Sequence, residues 1–342
     1  MSVARLPILT STAKLALGAA RFWLSGKTPD YAYKSMIALF CRSGGVTNDL
    51  LARMISWLHV AKPLADNRGV LGDLAPAGLA ETTRRLDEDG YFVFPERVPT
   101  ALCDRLLEFA LTQNCTVRRV PEAGGSWKPV PVERYDRARP EGVRYDFRAQ
   151  DLIDNPLVQS LMADHSIIAV AQHYLRCEPV VDVVSMWWHT AYSSEADPDA
   201  AQYYHFDMDR IKWLKFFIYL TDVGPENGPH CFVKGSHRTG GIPERLLSRG
   251  YARLTDAEVR ECYPPDRLIE FTARRGTVIA EDTRGLHKGK HVDAGDRLIL
   301  QLQFSSSLFG TSYEPARFSR VTDRQLQAAL LSHPRLYANY SR

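Results

Sequence analysis

The spacing of apolar residues changes along the chain. Up to residue 66 it follows the i, i+3, i+4 pattern of helices. "TPDYAYKSMIALFCRSGG" has Thr28 as its cap, Pro29 in the first turn and a stop at Gly44-Gly45. "TNDLLARMISWLHVAKP" starts from Thr47 and ends before Pro63. Residues 67 to 78, "NRGVLGDLAPAG", are rich in Gly and Pro and read as a boundary. The pattern predicts a helical extension over residues 1–70 and a main domain over 75–342.

Beyond the boundary the elements mix. "GYFVFP" predicts a short strand, and "PTALCDRLLEFALTQN" a helix capped near Thr100. Residues 118–150 are charged and carry Gly and Pro, which predicts mostly loop. "NPLVQSLMADHSIIAVAQHYL" has the spacing of one or two helices. From residue 180 the reading is almost all strand: "PVVDVVSMWWH", "WLKFFIYLTDV", "HCFV", "RLIEFT", "GTVIAED" and "RLILQLQFSSS". Turn chemistry such as "GPENGP" and "DAGD" separates them, and "SRGYARLTDAEVRECYPP" reads as a helical insertion. Many short strands in one unit predict a barrel or jelly roll, not a βαβ fold.

Composition adds limits. With 45% apolar and 24% charged residues in 342, the chain has the balance of a soluble globular protein. Its six cysteines form no C-x-x-C pair, which fits free thiols in the reducing cytoplasm. The net charge of +3 hides an asymmetry: residues 1–70 hold nine Lys or Arg against three Asp. The expected role of that excess is a solvated helix face; an acidic partner, a carrier or a membrane surface also fits it. The acid-poor start also matches a mitochondrial transit peptide, but an amphipathic first helix is the expectation. No basic run is interleaved with stacking aromatics, so no nucleic-acid role is expected. No uncharged apolar run approaches the ~20 residues of a transmembrane helix.

Candidate chemistry starts at "YYHFDMDR", where His205 and Asp207 lie two positions apart. With 10 His and 40 acidic residues in 342 positions, chance supplies about one such pair. The position matters more. In an extended chain i and i+2 share a face, so an imidazole and a carboxylate point into one space. Two His and one carboxylate, with the other positions open, suit non-haem Fe(II) and oxygen chemistry. Candidates for the second His are His230, His237, His287 and His291. His287 stands between the strands "GTVIAED" and "RLILQLQF", where a ligand reaches across a barrel. His291 completes an i, i+4 pair with it, but Lys288 replaces the Glu of a zinc helix and Gly285 and Gly289 disfavour helix. The rival pair His291/Asp293 reads as surface. Arg297 begins the next strand, and arginine holds a carboxylate in two parallel bonds.

Taken in order, "LDEDGYFVFPERVP", "YYHFDMD", "FFIYLTDVGPENGPHCFVKGSH", "GTVIAEDTRGLHKG" and "DRLILQLQF" resemble the phytanoyl-CoA dioxygenase family of Fe(II)/2-oxoglutarate-dependent oxygenases. The resemblance implies a mainly β fold with helices, a double-stranded β-helix (jelly roll, cupin-like) core behind the N-terminal helical extension. It implies iron held by His205, Asp207 and His287, and Arg297 on the 5-carboxylate of 2-oxoglutarate. Lys215 would give that carboxylate a second contact, and Gln202 would bond cosubstrate or substrate. The family's hydroxyl two residues past the distal His is Gly289 here. With O2, such an enzyme oxidises a small organic substrate and releases succinate and CO2. Asp207 favours hydroxylation over halogenation, because halogenating members lack that carboxylate. The alternatives are a cupin-like metal isomerase or hydrolase, or a silent binding module.

Other residues carry weaker expectations. Ser185, Trp187 and His189 share one strand face, as pocket lining or core. His237 fixes a turn, and Asp282 with Thr283 orients His287.

Overall fold

A computed structural model of the chain describes residues 8–119, 132–197 and 200–341. Three helices come first: α1 (Ile8–Ser25), α2 (Asp30–Ser43) and α3 (Val46–Leu58). Helix α2 begins one residue after Pro29, which is itself the cap, and Thr28 accepts a bond from the Gly310 amide instead. It stops where Gly44 turns left-handed at φ 58°, a conformation glycine enters without steric cost. Residues 67–78 are not a loose linker. They fold as a small hairpin, β1 (Arg68–Gly69) and β2 (Gly72–Asp73). The Val70 and Leu71 amides at its turn donate to Asp164 Oδ2 and Ser166 Oγ, which tie it to the body.

The next elements are α4 (Pro76–Asp89), β3 (Tyr91–Arg97), α5 (Thr100–Thr112) and β4 (Asn114–Arg118). They continue as β5 (Val132–Arg134), β6 (Arg144–Asp146), α6 (Ala149–Ile153), α7 (Pro156–Met162) and α8 (His165–Leu175). The charged stretch expected to be mostly loop holds two short strands and the start of a helix, with residues 120–131 outside the described ones. Three-residue strands carry no periodic signal; β6 exists because Arg144, Tyr145 and Asp146 pair with His189, Trp188 and Trp187.

The remainder comprises β7 (Val180–Thr190), β8 (Trp213–Tyr219), β9 (His230–Val233), α9 (Glu244–Leu247), α10 (Asp256–Arg260), β10 (Leu268–Phe271), β11 (Thr277–Glu281), β12 (His287–Gly289), β13 (Asp296–Ser305) and α11 (Arg324–Ser332). Eight strands form one antiparallel sheet in the order β3-β11-β8-β13-β7-β6-β4-β5, and three form a second, β10-β9-β12.

Alternation along the strands separates two cores. Leu298, Leu300, Leu302 and Phe304 of β13, with Leu214, Phe216 and Ile218 of β8, face the helices α4–α8 and α11. Ile299, Phe217, Tyr219 and Trp187 face Phe232 and Phe271 of the small sheet. A third core lies on the far side of that sheet. There Cys231 and Val233 meet Met36, Phe40 and Ala52 of the N-terminal helices. Burying each large apolar side chain contributes about 1.5–3 kcal/mol, so the helical extension is held by a real core. The order of layers is helices, large sheet, interior, small sheet, helices: the expected jelly roll, with its interior between the two sheets.

Candidate metal and cosubstrate site

The interior holds a cavity of about 420 Å³ bordered by His205, Asp207, His287, His189 and Arg297. Residues 204–207 are extended and run beside β12. The His205 amide donates to the His287 carbonyl at 3.0 Å, and the His287 amide returns the bond at 2.8 Å. Directly opposed residues put their side chains on one face, and the two imidazole centroids are 4.3 Å apart. The Asp207 amide donates to the Thr283 carbonyl at 2.8 Å, which fixes the carboxylate's own position. Alternation then divides the segment. Tyr204, Phe206 and Met208 enter the core under the N-terminal helices, while His205, Asp207 and Asp209 line the cavity.

One donor atom from each of His205, Asp207 and His287 lies within 4.8 Å of the other two. Asp207 Oδ2 is 3.4 Å from His287 Nε2, and Asp207 Oδ1 is 3.7 Å from His205 Nε2. His205 Nδ1 faces the Tyr203 carbonyl at 2.9 Å, and His287 Nδ1 faces the Gly285 carbonyl at 3.0 Å. Only an N–H pairs with a carbonyl, so each Nδ1 carries a proton and each Nε2 turns to the centre. Burial, then His287, holds His205 well below the ordinary imidazole value. Burial pulls His287 down too, but Asp207 outweighs it and leaves that imidazole raised. Burial pushes the Asp207 carboxyl up, and Lys215 followed by His287 overrules it, holding it well below the usual range. A divalent cation at the centre competes with the His287 proton for the same lone pair. Two neutral-capable imidazoles and one ionised carboxylate are the donor set that Fe(II) takes.

Arg297 borders the same cavity and is 1% exposed. Its Nη2 donates to His189 Nδ1 at 2.7 Å, while His189 Nε2 donates to the Ala200 carbonyl at 3.2 Å. Its Nε and Nη1 have no hydrogen-bond partner among the described residues. Burial lowers the guanidinium below its ordinary value, as expected of a charge with no anion beside it. Gly289 makes room for it: a Cβ there would stand 2.8 Å from Arg297 Nη2. The missing hydroxyl at this position therefore has a steric reason. A pocket with an orphaned, buried fork and a metal donor set fits a dicarboxylate that also chelates a cation.

Three expected roles change. Lys215 does not share a ligand's carboxylate with Arg297. Its register partner on β13 is Gln303, six residues from Arg297, or about 20 Å of strand. Its Nζ instead donates to Asp207 Oδ2 at 2.6 Å and lies 3.5 Å from Asp209. Gln202 does not reach the cavity. The backbone turns left-handed at Ala201 (φ 60°), so Ala201 borders the cavity and Gln202 faces its own loop. There its Oε1 accepts from the Asp197 amide at 2.6 Å and faces His291 Nδ1 at 3.4 Å. Asp282 does not touch His287. It takes Arg284 Nη2 at 2.7 Å and the Tyr174 hydroxyl at 2.5 Å.

Other expectations land as follows. Ser185, Trp187 and His189 all border the cavity, and Trp187 also packs in the inner core. His291 is 4.0 Å from Asp293, outside the donor cluster. His237 is buried at a turn, where a Cβ on Gly90 would stand 2.5 Å from its Nδ1.

One buried pair escaped the sequence reading. His230 Nε2 faces both oxygens of Glu281 at 3.0 Å. Burial pushes the Glu281 carboxyl up to about 8, against the pull of His287 and Lys215. Nothing local marks this pair, because the partners lie on different strands.

The family described as Phytanoyl-CoA dioxygenase (PhyH) matches residues 86–294 of the chain. Among curated proteins no relative matches the sequence. Solved structures similar to it include the epimerase SnoN, described with Fe3+, alpha ketoglutarate and nogalamycin RO: 18% identity, 73% of this chain and 98% of that chain, TM-score 0.48. Another is EctD from S. alaskensis with bound Fe, at 19% identity, 72% and 80% coverage and TM-score 0.47. A third is HygX from Streptomyces hygroscopicus with nickel, 2-oxoglutarate and hygromycin B, at 14% identity, 71% and 94% coverage and TM-score 0.44.

Proposed function

This chain belongs to the phytanoyl-CoA dioxygenase family of Fe(II)/2-oxoglutarate-dependent oxygenases, and from that premise we propose that it hydroxylates a small organic substrate. His205, Asp207 and His287 hold the iron, and Arg297 holds the far carboxylate of 2-oxoglutarate. Iron with 2-oxoglutarate and O2 supplies the oxidising power, with succinate and CO2 as co-products.

The chain's own residues supply position. The carbonyls of Tyr203 and Gly285 hold the Nδ1 protons and keep both Nε2 atoms aimed inward. Lys215 keeps the Asp207 carboxylate ionised. His189, held neutral by burial, orients the Arg297 fork. Trp187 and Phe217 add apolar walls to the same cavity. The observation that carries the reading is the buried Arg297 guanidinium, which has no carboxylate beside it among the described residues and borders the same cavity as the donor set. A buried charge of that kind calls for an anion.

Residues 75–342 form the catalytic domain in this reading, and residues 1–70 an extension docked on it. We assign the reaction to the cytoplasm, because all six cysteines are free thiols. The test is a screen of small molecules for enzyme-dependent succinate release under O2, followed by mass analysis of the product. Hydroxylation predicts a product that gains one oxygen atom from labelled O2. Failure of the wild-type protein to bind either Fe(II) or 2-oxoglutarate would end the proposal.

A further inference from the structure

Among the described residues, most large apolar side chains left exposed lie within the first 60 positions. Helix α1 buries Ser11, Leu15 and Gly18 on one side. At about 100° per residue, Leu9, Leu17, Trp23 and Leu24 gather on the opposite side. They are well exposed, Leu9 at 86% and Trp23 at 84%. Helix α3 repeats the arrangement. It buries Asn48 and Ala52, and turns Val46, Leu50, Met54, Trp57 and Leu58 outward as an i, i+4, i+8 stripe, with Trp57 79% exposed. Helix α2 lies buried and packs against both. Two outer helices thus show apolar stripes on the side away from the body. A helix with an exposed apolar stripe opposite its packed side expects cover on both.

Charge identifies the cover. Helix α1 carries Lys14 and Arg21 beside its stripe and no acid at all. Residues 1–70 hold nine Lys or Arg against three Asp, so a second copy of this surface would be repelled. Beside the α3 stripe is a second cavity of about 200 Å³. It is bordered by Arg53 and Ser56 of α3 together with Lys212, Arg238, Arg176 and Arg284. Arg284 is engaged by Asp282 and Asp49, and Arg176 by Asp87. Arg53, Lys212 and Arg238 have no carboxylate within ion-pair distance among the described residues. Lys212 Nζ sits 4.2 Å over the Tyr174 ring, and burial followed by Arg284 pulls its ammonium below its ordinary value. No helix among the described residues is long and apolar enough to cross a bilayer, so the stripes suit a helix lying in the interface.

We propose that α1 and α3 dock this protein on an anionic phospholipid surface, with their tryptophan-bearing stripes in the acyl boundary and a headgroup phosphate in the basic cavity beside α3. Each Lys or Arg near an anionic leaflet strengthens binding by about fivefold, so affinity depends on both lipid charge and salt.

The test uses the full chain and flotation with vesicles of phosphatidylcholine, with and without phosphatidylglycerol. The wild type should float with the anionic vesicles and be released by salt. Trp57→Ser with Leu58→Ser should reduce binding at least about tenfold. Arg53→Gln with Arg238→Gln should remove about 25-fold of the binding to anionic vesicles and little of that to neutral ones. All of these residues are exposed, so unchanged melting temperatures should accompany both effects. Three results would overturn the proposal: no flotation with any vesicle, a concentration-dependent dimer in sedimentation that the Trp57/Leu58 variant abolishes, or saturable binding of inorganic phosphate without vesicle binding.

Discussion

Replacing Arg297 by methionine tests the cosubstrate site in the cavity, because two effects of opposite sign follow. Arg297→Met removes a guanidinium whose Nε and Nη1 have no hydrogen-bond partner among the described residues. A carboxylate would take two charge-assisted bonds from that fork, worth roughly 1.5–3 kcal/mol each. Losing both costs roughly 3–6 kcal/mol, or about 10²–10⁴-fold in the Kd of 2-oxoglutarate. The protein without cosubstrate should respond the other way. A buried unpaired charge is replaced by an apolar chain of similar length, and only the bond to His189 Nδ1 is given up. The melting temperature should therefore hold or rise. Calorimetric titration of 2-oxoglutarate with Mn(II) in place of iron reads the first effect, and thermal denaturation without ligand the second. Arg297→Lys keeps the charge but not the fork and should fall between. An unchanged Kd together with a melting point several degrees lower would mean that Arg297 serves only His189 and the fold.

The remaining predictions touch the same cavity. Gly289→Ala places a Cβ 2.8 Å from Arg297 Nη2 and should raise the KM for 2-oxoglutarate at least about tenfold while leaving metal affinity intact; equal loss of both would point to general disruption of β12. Under anaerobic conditions, Fe(II) with 2-oxoglutarate should give the visible charge-transfer band of the chelate, and His205→Ala or Asp207→Ala should abolish it; persistence in both variants would move the metal elsewhere. Glu281 has its carboxyl raised from 4.5 to about 8, chiefly by burial. Between those pH values the folded chain holds a proton that the unfolded chain lacks, so stability falls as pH rises through that window. Glu281→Gln keeps a partner for His230 and should flatten that slope in denaturation curves; an unaltered slope would assign the proton to another group.

Some of this site was legible in the chain and some was not, for physical reasons. That His205 and Asp207 share a face follows from local rules, while the choice of His287 among four candidate histidines rests on its place between two strands and on the family resemblance. Alternation puts residues 205 and 207 on one face, and a His between two strands returns to the interior. The position of Arg297 follows from the same logic, one strand start later. The partners of Lys215 and Asp282 were not readable. A buried charge takes whichever opposite charge the packed fold brings nearest, and for Lys215 that is Asp207. Gln202 was misread because one left-handed residue, Ala201, reverses which side chain faces inward. Strands β5, β6 and β12 span three residues each and owe their existence to distant partners. The short helix α10, by contrast, announces itself: Thr255 and Glu258 form a reciprocal cap at its start.

The segment 204–208 separates two environments by the thickness of one backbone. Its even residues are anchored in the core shared with α2, where Phe40 lies 5.6 Å from Phe206, ring centre to ring centre. Its odd residues carry the candidate donors. Local opening of the N-terminal helices would free Phe206 and Met208, and the spacing of His205 and Asp207 would relax with them. Metal capture should then be coupled to the closing of the first three helices, and loading the ion should slow proteolysis some distance away, in the chain joining α3 to the hairpin.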